Sequence, residues 1–297
     1  MFSSDTGIER IVIGTGTTVT AVSTGVIAIN VNAADVTNAL TLIGNAGANI
    51  LTGTAQADII DGKAGIDILD GRNNSDVYFI SVASQHTAAE INDTGISGTD
   101  EVRFATKSAS TLTLYAGDTG LERIVIGTGD MVNAVTTAKT AANINAAAVT
   151  NGLTLIGNNG ANILTGTAFN DTFSGNNGND TITGGSGADK FVFDYAPNSS
   201  TNRDILVDFQ SGVDIMQFSL SLFTGLGVSP GTLSTQQFWS GAGVVAAHDA
   251  DDRIIYNTTT GILYYDADGL GSTAALQVAL MGTAVHPNLN YSDFQMI

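Results

Sequence analysis

The chain has 297 residues, room for two or three domains and a substantial core. Hydrophobic content of 43% is ordinary and charged content of 13% is low, with ten Lys plus Arg against 28 Asp plus Glu for a net charge of −18. No basic stripe exists to meet nucleic-acid phosphates or an anionic membrane surface, whereas a divalent cation is the natural complement, and the absence of cysteine excludes disulfides and thiol chemistry.

The opening MFSSDTGIERIVIG lacks the basic and apolar regions of a cleavable export signal, and no apolar run approaches the ~20 residues of a spanning helix. DTGIERIVIGTG (5–16) returns as DTGLERIVIGTG (118–129), and VTNALTLIGNAGANILTGTA (36–55) returns as VTNGLTLIGNNGANILTGTA (149–168), both at an offset of 113 residues. The first copy begins almost at Met1, whereas TLTLYAG precedes the second, so the chain reads as the terminal piece of a longer array. Each copy opens with an apolar strand, at 11–13 and 124–126. The Ala- and Thr-rich stretches 20–39 and 133–149 offer the only helix-compatible composition, and their Thr and Val content argues against helix.

Nonapeptides follow. Between 44 and 79 stand GNAGANILT, GTAQADIID, GKAGIDILD and GRNNSDVYF; between 157 and 192 stand GNNGANILT, GTAFNDTFS, GNNGNDTIT and GGSGADKFV. Position 1 is always Gly, position 6 a carboxylate or amide, position 8 apolar. A strand of three residues points position 8 inward and positions 7 and 9 outward, and glycines let the remainder turn tightly. Two nonapeptides complete one coil of a parallel β-roll, which sets Asn49 above Asp67, Asp58 above Asp76, Asn162 above Asp180 and Asp171 above Asp189. Stacked carboxylates repel unless a cation lies between them, and calcium suits the slot because it takes six to eight hard oxygens, turn carbonyls included. The two pairs with an amide in one half should bind more weakly. Gln56, Phe169 and Asn74 replace the second turn glycine, so their half-sites are expected to be the weakest. Aspartate acting purely as a turn former is the alternative reading of one such motif, but eight in register favour the metal.

GTDEVRFA (98–105) after the first block is matched to RDILVDF (203–209) after the second. Beyond about residue 196, LVDFQSGVDIMQFSLSLF, RIIYNTTTGILYYDADG and ALQVALMG read as antiparallel strands forming a sandwich-like cap, with Pro197, Pro230 and Pro287 in loops. The organisation is therefore all-β: a first unit at 1–117 with its roll at 44–79, a second at 118–195 with its roll at 157–192, and a C-terminal β domain at 196–297. Asp266 and Asp268 open an EF-hand-like loop that has Gln277 where the twelfth-position Glu belongs, leaving either a calcium ligand pair or a plain turn. Asp249, Asp251 and Asp252 read as a solvated acidic loop, Trp239 as a loop residue, and His86, His248 and His286 as isolated. No HExxH and no GxSxG occurs, so no catalytic site is expected.

The nonapeptides resemble RTX (repeats-in-toxin) modules. GGSGADKFVF through RDILVDFQSGVDIMQFS, RIIYNTTTGILYYDADG and the terminal SDFQMI resemble the C-terminal region of serralysin-type, type I-secreted proteins. That resemblance implies calcium ligation by Asp58, Asp67, Asp76, Asp171, Asp180 and Asp189, with carbonyls near Gly62, Gly65, Gly175, Gly178, Gly184, Gly185 and Gly187. It also implies export through an ABC transporter on an uncleaved C-terminal signal; here Asp293 precedes Phe294, Gln295, Met296 and Ile297, with Gln295 an exception to the apolar pattern. Millimolar external calcium adds roughly 1–2 kcal/mol per site if Kd is ~10⁻⁴ M, so four sites rival the net stability of a domain. The composition further resembles calcium-dependent S-layer proteins of alphaproteobacteria. The expected role is a secreted structural or surface protein, self-assembling or bound to cell-surface polysaccharide. The alternative is a non-catalytic secretion and folding module of an exported hydrolase or polysaccharide-modifying enzyme.

Overall fold

The computed structural model describes residues 1–16, 21–130 and 133–297. By compactness the chain divides into two units, Met1–Thr154 and Leu155–Ile297. Among the described residues the regular structure is strand, apart from three-residue 3₁₀ turns at Ala83–Gln85, Thr224–Leu226 and Tyr291–Asp293. Among the described residues no helix is long and apolar enough to cross a membrane. Thr20, at the edge of one Ala/Thr-rich stretch, lies outside the described residues; the remainder of both stretches carries short strands, Ala21–Val22, Val31–Asn32, Ala134–Val135 and Asn143–Asn145.

In the first unit one face carries Arg10–Val12, Thr41–Ile43, Ile59–Asp61, Val77–Ile80, Glu101–Phe104 and Arg123–Ile126, all parallel. Opposite it lie Val31–Asn32, Ile50–Thr52 and Ile68–Asp70, also parallel, and farther on Thr111–Thr113 beside Asn143–Asn145. Within the block the register is 18 residues, Thr41 opposite Ile59 opposite Val77, and Ile50 opposite Ile68. Two nonapeptides therefore make one coil, the first contributing its three-residue strand to one face and the second to the other.

The second unit repeats the plan. Thr172–Ser174, Lys190–Phe193, Ile215–Phe218 and Phe294–Met296 run parallel on one face, edged by the antiparallel Gly231–Thr232. Ile163–Thr165, Thr181–Thr183, Asp204–Leu206 and Leu276–Met281 run parallel on the other. That second face then continues with Ile262–Tyr265 antiparallel to Leu276–Met281 and to Ile254–Asn257, and Phe238–Gly241 parallel to Ile254–Asn257.

The antiparallel cap is thus partly present, and its earlier portion is corrected. The strands here are not antiparallel: Asp204–Leu206 and Ile215–Phe218 join opposite faces, each in parallel pairing, and form a further coil of the roll. Alternating apolar residues satisfy a parallel edge as well as an antiparallel one, so periodicity alone does not distinguish them. A related correction concerns GTDEVRFA, which pairs with Val77–Ile80 as Ile215–Phe218 pairs with Lys190–Phe193. Its counterpart is SGVDIMQF (211–218), matched by SGTDEVRF (97–104), and not RDILVDF.

The core follows the ninefold period. The eight position-8 side chains, Leu51, Ile60, Leu69, Tyr78, Leu164, Phe173, Ile182 and Phe191, are at most 5% exposed, whereas Ile50 and Ile163 at position 7 are 43% and 51% exposed. In the second unit the aromatics form two groups, Phe173 on Phe191 at 5.3 Å with Phe191 on Phe209 at 5.7 Å, and Phe193 on Phe218 at 4.9 Å with Phe218 against Phe223 at 4.8 Å. Truncation of a ring in either group leaves a cavity that short strands on both sides cannot collapse into. Phe191→Ala should therefore cost about 3–5 kcal/mol and Ile163→Ala under about 0.5 kcal/mol, measured by urea unfolding at saturating calcium.

Candidate metal centre

Every position-6 side chain lies in the turn ahead of a strand and is buried. Its role is fixed by the coil before it. The backbone N–H of Asn49 donates to Asp67 Oδ1 at 2.7 Å, that of Asp58 to Asp76 at 2.6 Å, that of Asn162 to Asp180 at 2.7 Å and that of Asp171 to Asp189 at 2.9 Å. These are the four stacked pairs expected from the spacing. The columns run on past the repeats. Asp76 N–H donates to Asp100 at 2.8 Å, Asp180 to Asp204 at 3.0 Å, Asp189 to Asp214 at 3.0 Å and Asp100 to Glu122 at 2.7 Å. Sequence reasoning missed Asp100, Glu122, Asp204 and Asp214 because the spacing widens to 22–25 residues once the strict repeat ends. The signal that could have found Asp100 and Asp214 was the SG-x-D spacing shared by 97–100 and 211–214.

The two coils of each block differ in how the turn closes. In the first coil the N–H of position 2 donates to the position-6 side chain of its own turn: Asn45 to Asn49 at 2.8 Å, Thr54 to Asp58 at 2.5 Å, Asn158 to Asn162 at 2.8 Å and Thr167 to Asp171 at 2.6 Å. The position-2 side chain in turn accepts from the position-4 N–H, as from Gly47, Gln56, Gly160 and Phe169. These turns are closed by their own polar groups. In the second coil position 2 is left-handed instead, with φ of 70° at Lys63, 80° at Arg72, 65° at Asn176 and 100° at Gly185. Position 4 is left-handed as well, at Gly65, Asn74, Gly178 and Gly187. Buried Oδ2 atoms of Asp67, Asp76 and Asp180 then have no hydrogen-bond partner.

The turns sort by coil and not by the second glycine alone: Asn74 takes φ of 73°, which asparagine tolerates, and Asp76 keeps an unpartnered oxygen. The self-closed turns include those of Asn45 and Asn158, which do carry the second glycine at Gly47 and Gly160. Position 1 has a different constraint. A Cβ on Gly62, Gly71, Gly175 or Gly184 would collide with the carboxylate five residues on, and one on Gly44, Gly53, Gly157 or Gly166 would also strike the carbonyl of Gly62, Gly71, Gly175 or Gly184 in the next coil. Glycine here permits close approach of carboxylate and carbonyl oxygens, the donor set calcium takes.

Burial disfavours the ionised carboxyls, and neighbouring carboxylates add to it. Asp67 is pushed up to about 6, Asp76 to about 8, Asp100 to about 7 and Asp189 to about 7. Asp180 and Asp204, facing each other across one coil step, are both raised, by burial first and, at Asp180, by the charge of Asp204. Ligand atoms of Asp76, Asp93 and Asp100 lie within 4.8 Å of one another at the end of the first block. Unpartnered buried oxygens in a cradle of glycines and carboxylates fit a hard divalent cation.

Outside the columns, Asp266 and Asp268 serve a turn: Asp266 Oδ1 accepts from Asp268 N–H at 3.2 Å and Gly269 N–H at 2.9 Å, while exposed Asp268 accepts from Thr273 Oγ1 at 2.9 Å. The histidines are not isolated. His86 is buried between Glu90 and Asp118, His248 contacts Asp252 at 2.8 Å and stacks on Trp239 at 4.2 Å, and His286 contacts the Met281 carbonyl at 2.8 Å. Asp252 is itself buried beneath that loop, and Trp239 lies on the strand Phe238–Gly241.

The RTX calcium-binding nonapeptide repeat family matches the chain in four copies, over residues 41–78 and 156–191. A search of curated proteins finds no match. The two blocks are RTX calcium-binding repeats, and their ion is calcium.

The raised carboxyls have three testable consequences. Without metal, the folded chain holds protons that the unfolded chain, with carboxyls near 3.8, has released, so the metal-free fold loses stability as pH rises from about 4 through about 8. Metal-free protein should show more β-structure at pH 5 than at pH 8 by circular dichroism. The calcium midpoint should rise on acidification, because protons compete for the same oxygens. Asp180→Asn removes one buried charge opposite Asp204, so at pH 8 it should stabilise the metal-free form and weaken calcium binding, read by thermal melts with and without calcium.

Proposed function

We propose that this chain, whose two repeat blocks bind calcium, is an exported protein that folds when it meets calcium outside the cell. On this reading it crosses the envelope through a type I ABC transporter and then serves a structural or surface role, S-layer-like and without catalysis. The observation that carries it is the set of buried, unpartnered carboxylate oxygens in the repeats. Cytosolic calcium is too low to fill sites of ~10⁻⁴ M class, so mutual repulsion keeps the chain loose and threadable; millimolar calcium outside removes the repulsion.

The C-terminus supports the same reading. Phe294–Met296 is a roll strand beside Ile215–Phe218, and buried Asp293 accepts from Ser211 Oγ at 2.8 Å, Gly212 N–H at 2.9 Å and Asn290 N–H at 2.8 Å. A terminal export address is therefore readable only before the roll closes over it. The absence of catalysis is supported by the sequence, which has neither HExxH nor GxSxG.

Deleting residues 291–297 should abolish export from a Gram-negative host carrying a type I transporter, with the protein retained inside; undiminished export would contradict the address. Sedimentation velocity with and without millimolar calcium separates the roles. Calcium-driven assembly is the expected result. A strict monomer would instead support the accessory module of an exported enzyme.

A further inference from the structure

Two buried carboxylate oxygens without partners belong to residues that line one small cavity of the first unit from different segments. One is Asp67 Oδ2, in the third nonapeptide; the other is Glu90 Oε1, in the connector after the first block. Asp67 is 1% exposed and Glu90 is 5% exposed. Glu90 belongs to no nonapeptide, and the segment around it enters the roll through the parallel bridge between Leu69 and Ile91.

His86 aims the glutamate. Its Nδ1 lies 3.2 Å from Glu90 Oε2 and its Nε2 lies 2.9 Å from Asp118 Oδ2, with both contacts buried. With a carboxylate at each ring nitrogen, the buried imidazole is held between the two segments and fixes the direction of Glu90. Asp118 is otherwise saturated: Oδ1 accepts the N–H groups of Glu90 and Ile91 at 2.9 and 3.1 Å, and Oδ2 that of Tyr115 at 2.7 Å. Asp67 Oδ1 is taken by Asn49. Lys63, the nearby ammonium on the cavity wall, is committed to Asp61 at 2.5 Å.

Asp67 and Glu90 are thus two buried carboxylates, each with an unpartnered oxygen, on residues that line one cavity. A neutral water could bridge them but would leave two like charges unbalanced in a low-dielectric interior. One divalent cation balances them.

We infer that Asp67 and Glu90 hold a calcium ion at the seam between the first repeat block and its connector, with His86 as the positioning residue. The inference rests on the calcium reading of the repeats and extends it to a ligand outside them. The connector is thereby tied to the roll by calcium in addition to its backbone pairing at Leu69 and Ile91.

The test counts ions on the full chain by equilibrium dialysis with calcium at pH 8, for wild type, Glu90→Gln and Asp180→Asn. Glu90→Gln should bind one calcium fewer than wild type while its far-UV spectrum at saturating calcium is unchanged. An undiminished count in Glu90→Gln, with Asp180→Asn losing its ion, overturns this site and leaves the repeat reading intact. Wild type that binds no calcium overturns both. Anomalous scattering from wild-type crystals soaked in terbium gives an answer independent of any variant's folding. A peak between Asp67 and Glu90 is expected, and peaks at the second repeat block without one there contradict the inference.

Discussion

The structure depends on one hydrogen bond repeated along each column: the backbone N–H at one coil donating to the carboxylate of the coil after it, as Asp58 donates to Asp76 and Asp171 to Asp189. That bond fixes the coil-to-coil register and buries an anion at every step. At Asp67, Asp76 and Asp180 one oxygen is then accounted for and the other is not. A polar group buried without a partner is costly, and a charged one more so. The fold is consequently incomplete as protein alone, and its stability is set by what neutralises the column, protons in acid or calcium near neutrality.

The rest of each unit can be understood as terminating these columns. Their first coils close on themselves, through Asn45, Thr54, Asn158 and Thr167, and so need no ion to satisfy the turn. Second coils are open, and carboxylates from outside the repeat, Asp100, Asp204 and Asp214, take the amides that a further nonapeptide would have taken. In the second unit the chain's last strand covers the roll, with Asp293 tied to the turn at Ser211 and Gly212. In the first, the connector adds the buried His86, which burial alone would make less basic but which hydrogen bonds to Asp118 and Glu90 raise to about 9. Its positive charge is therefore part of the fold across the neutral range.

Much of this was legible in the sequence because the period is strict. Nine residues with Gly at 1, Asx at 6 and an apolar residue at 8 dictated the coil, its core and the four stacked pairs. Three things were not legible. The turn type depends on whether position 2 closes the turn or goes left-handed, and Asn158 and Asn176, identical residues in equivalent positions, choose differently: Asn176 Nδ2 donates back to the Gly157 carbonyl at 2.6 Å. Strand direction past the repeats was hidden because an alternating apolar strand reads the same in a parallel or antiparallel edge. The His86 cluster was hidden because Asp118 lies 32 residues away, beyond any local pattern.

The most direct measurement is far-UV circular dichroism of the whole chain at pH 8 during a calcium titration from a chelated start. A coil-like spectrum that becomes β-rich and cooperative near millimolar calcium is the expected result. A spectrum already β-rich in chelator and indifferent to calcium would mean that the columns are stable as protein alone, contradicting a calcium-stapled roll.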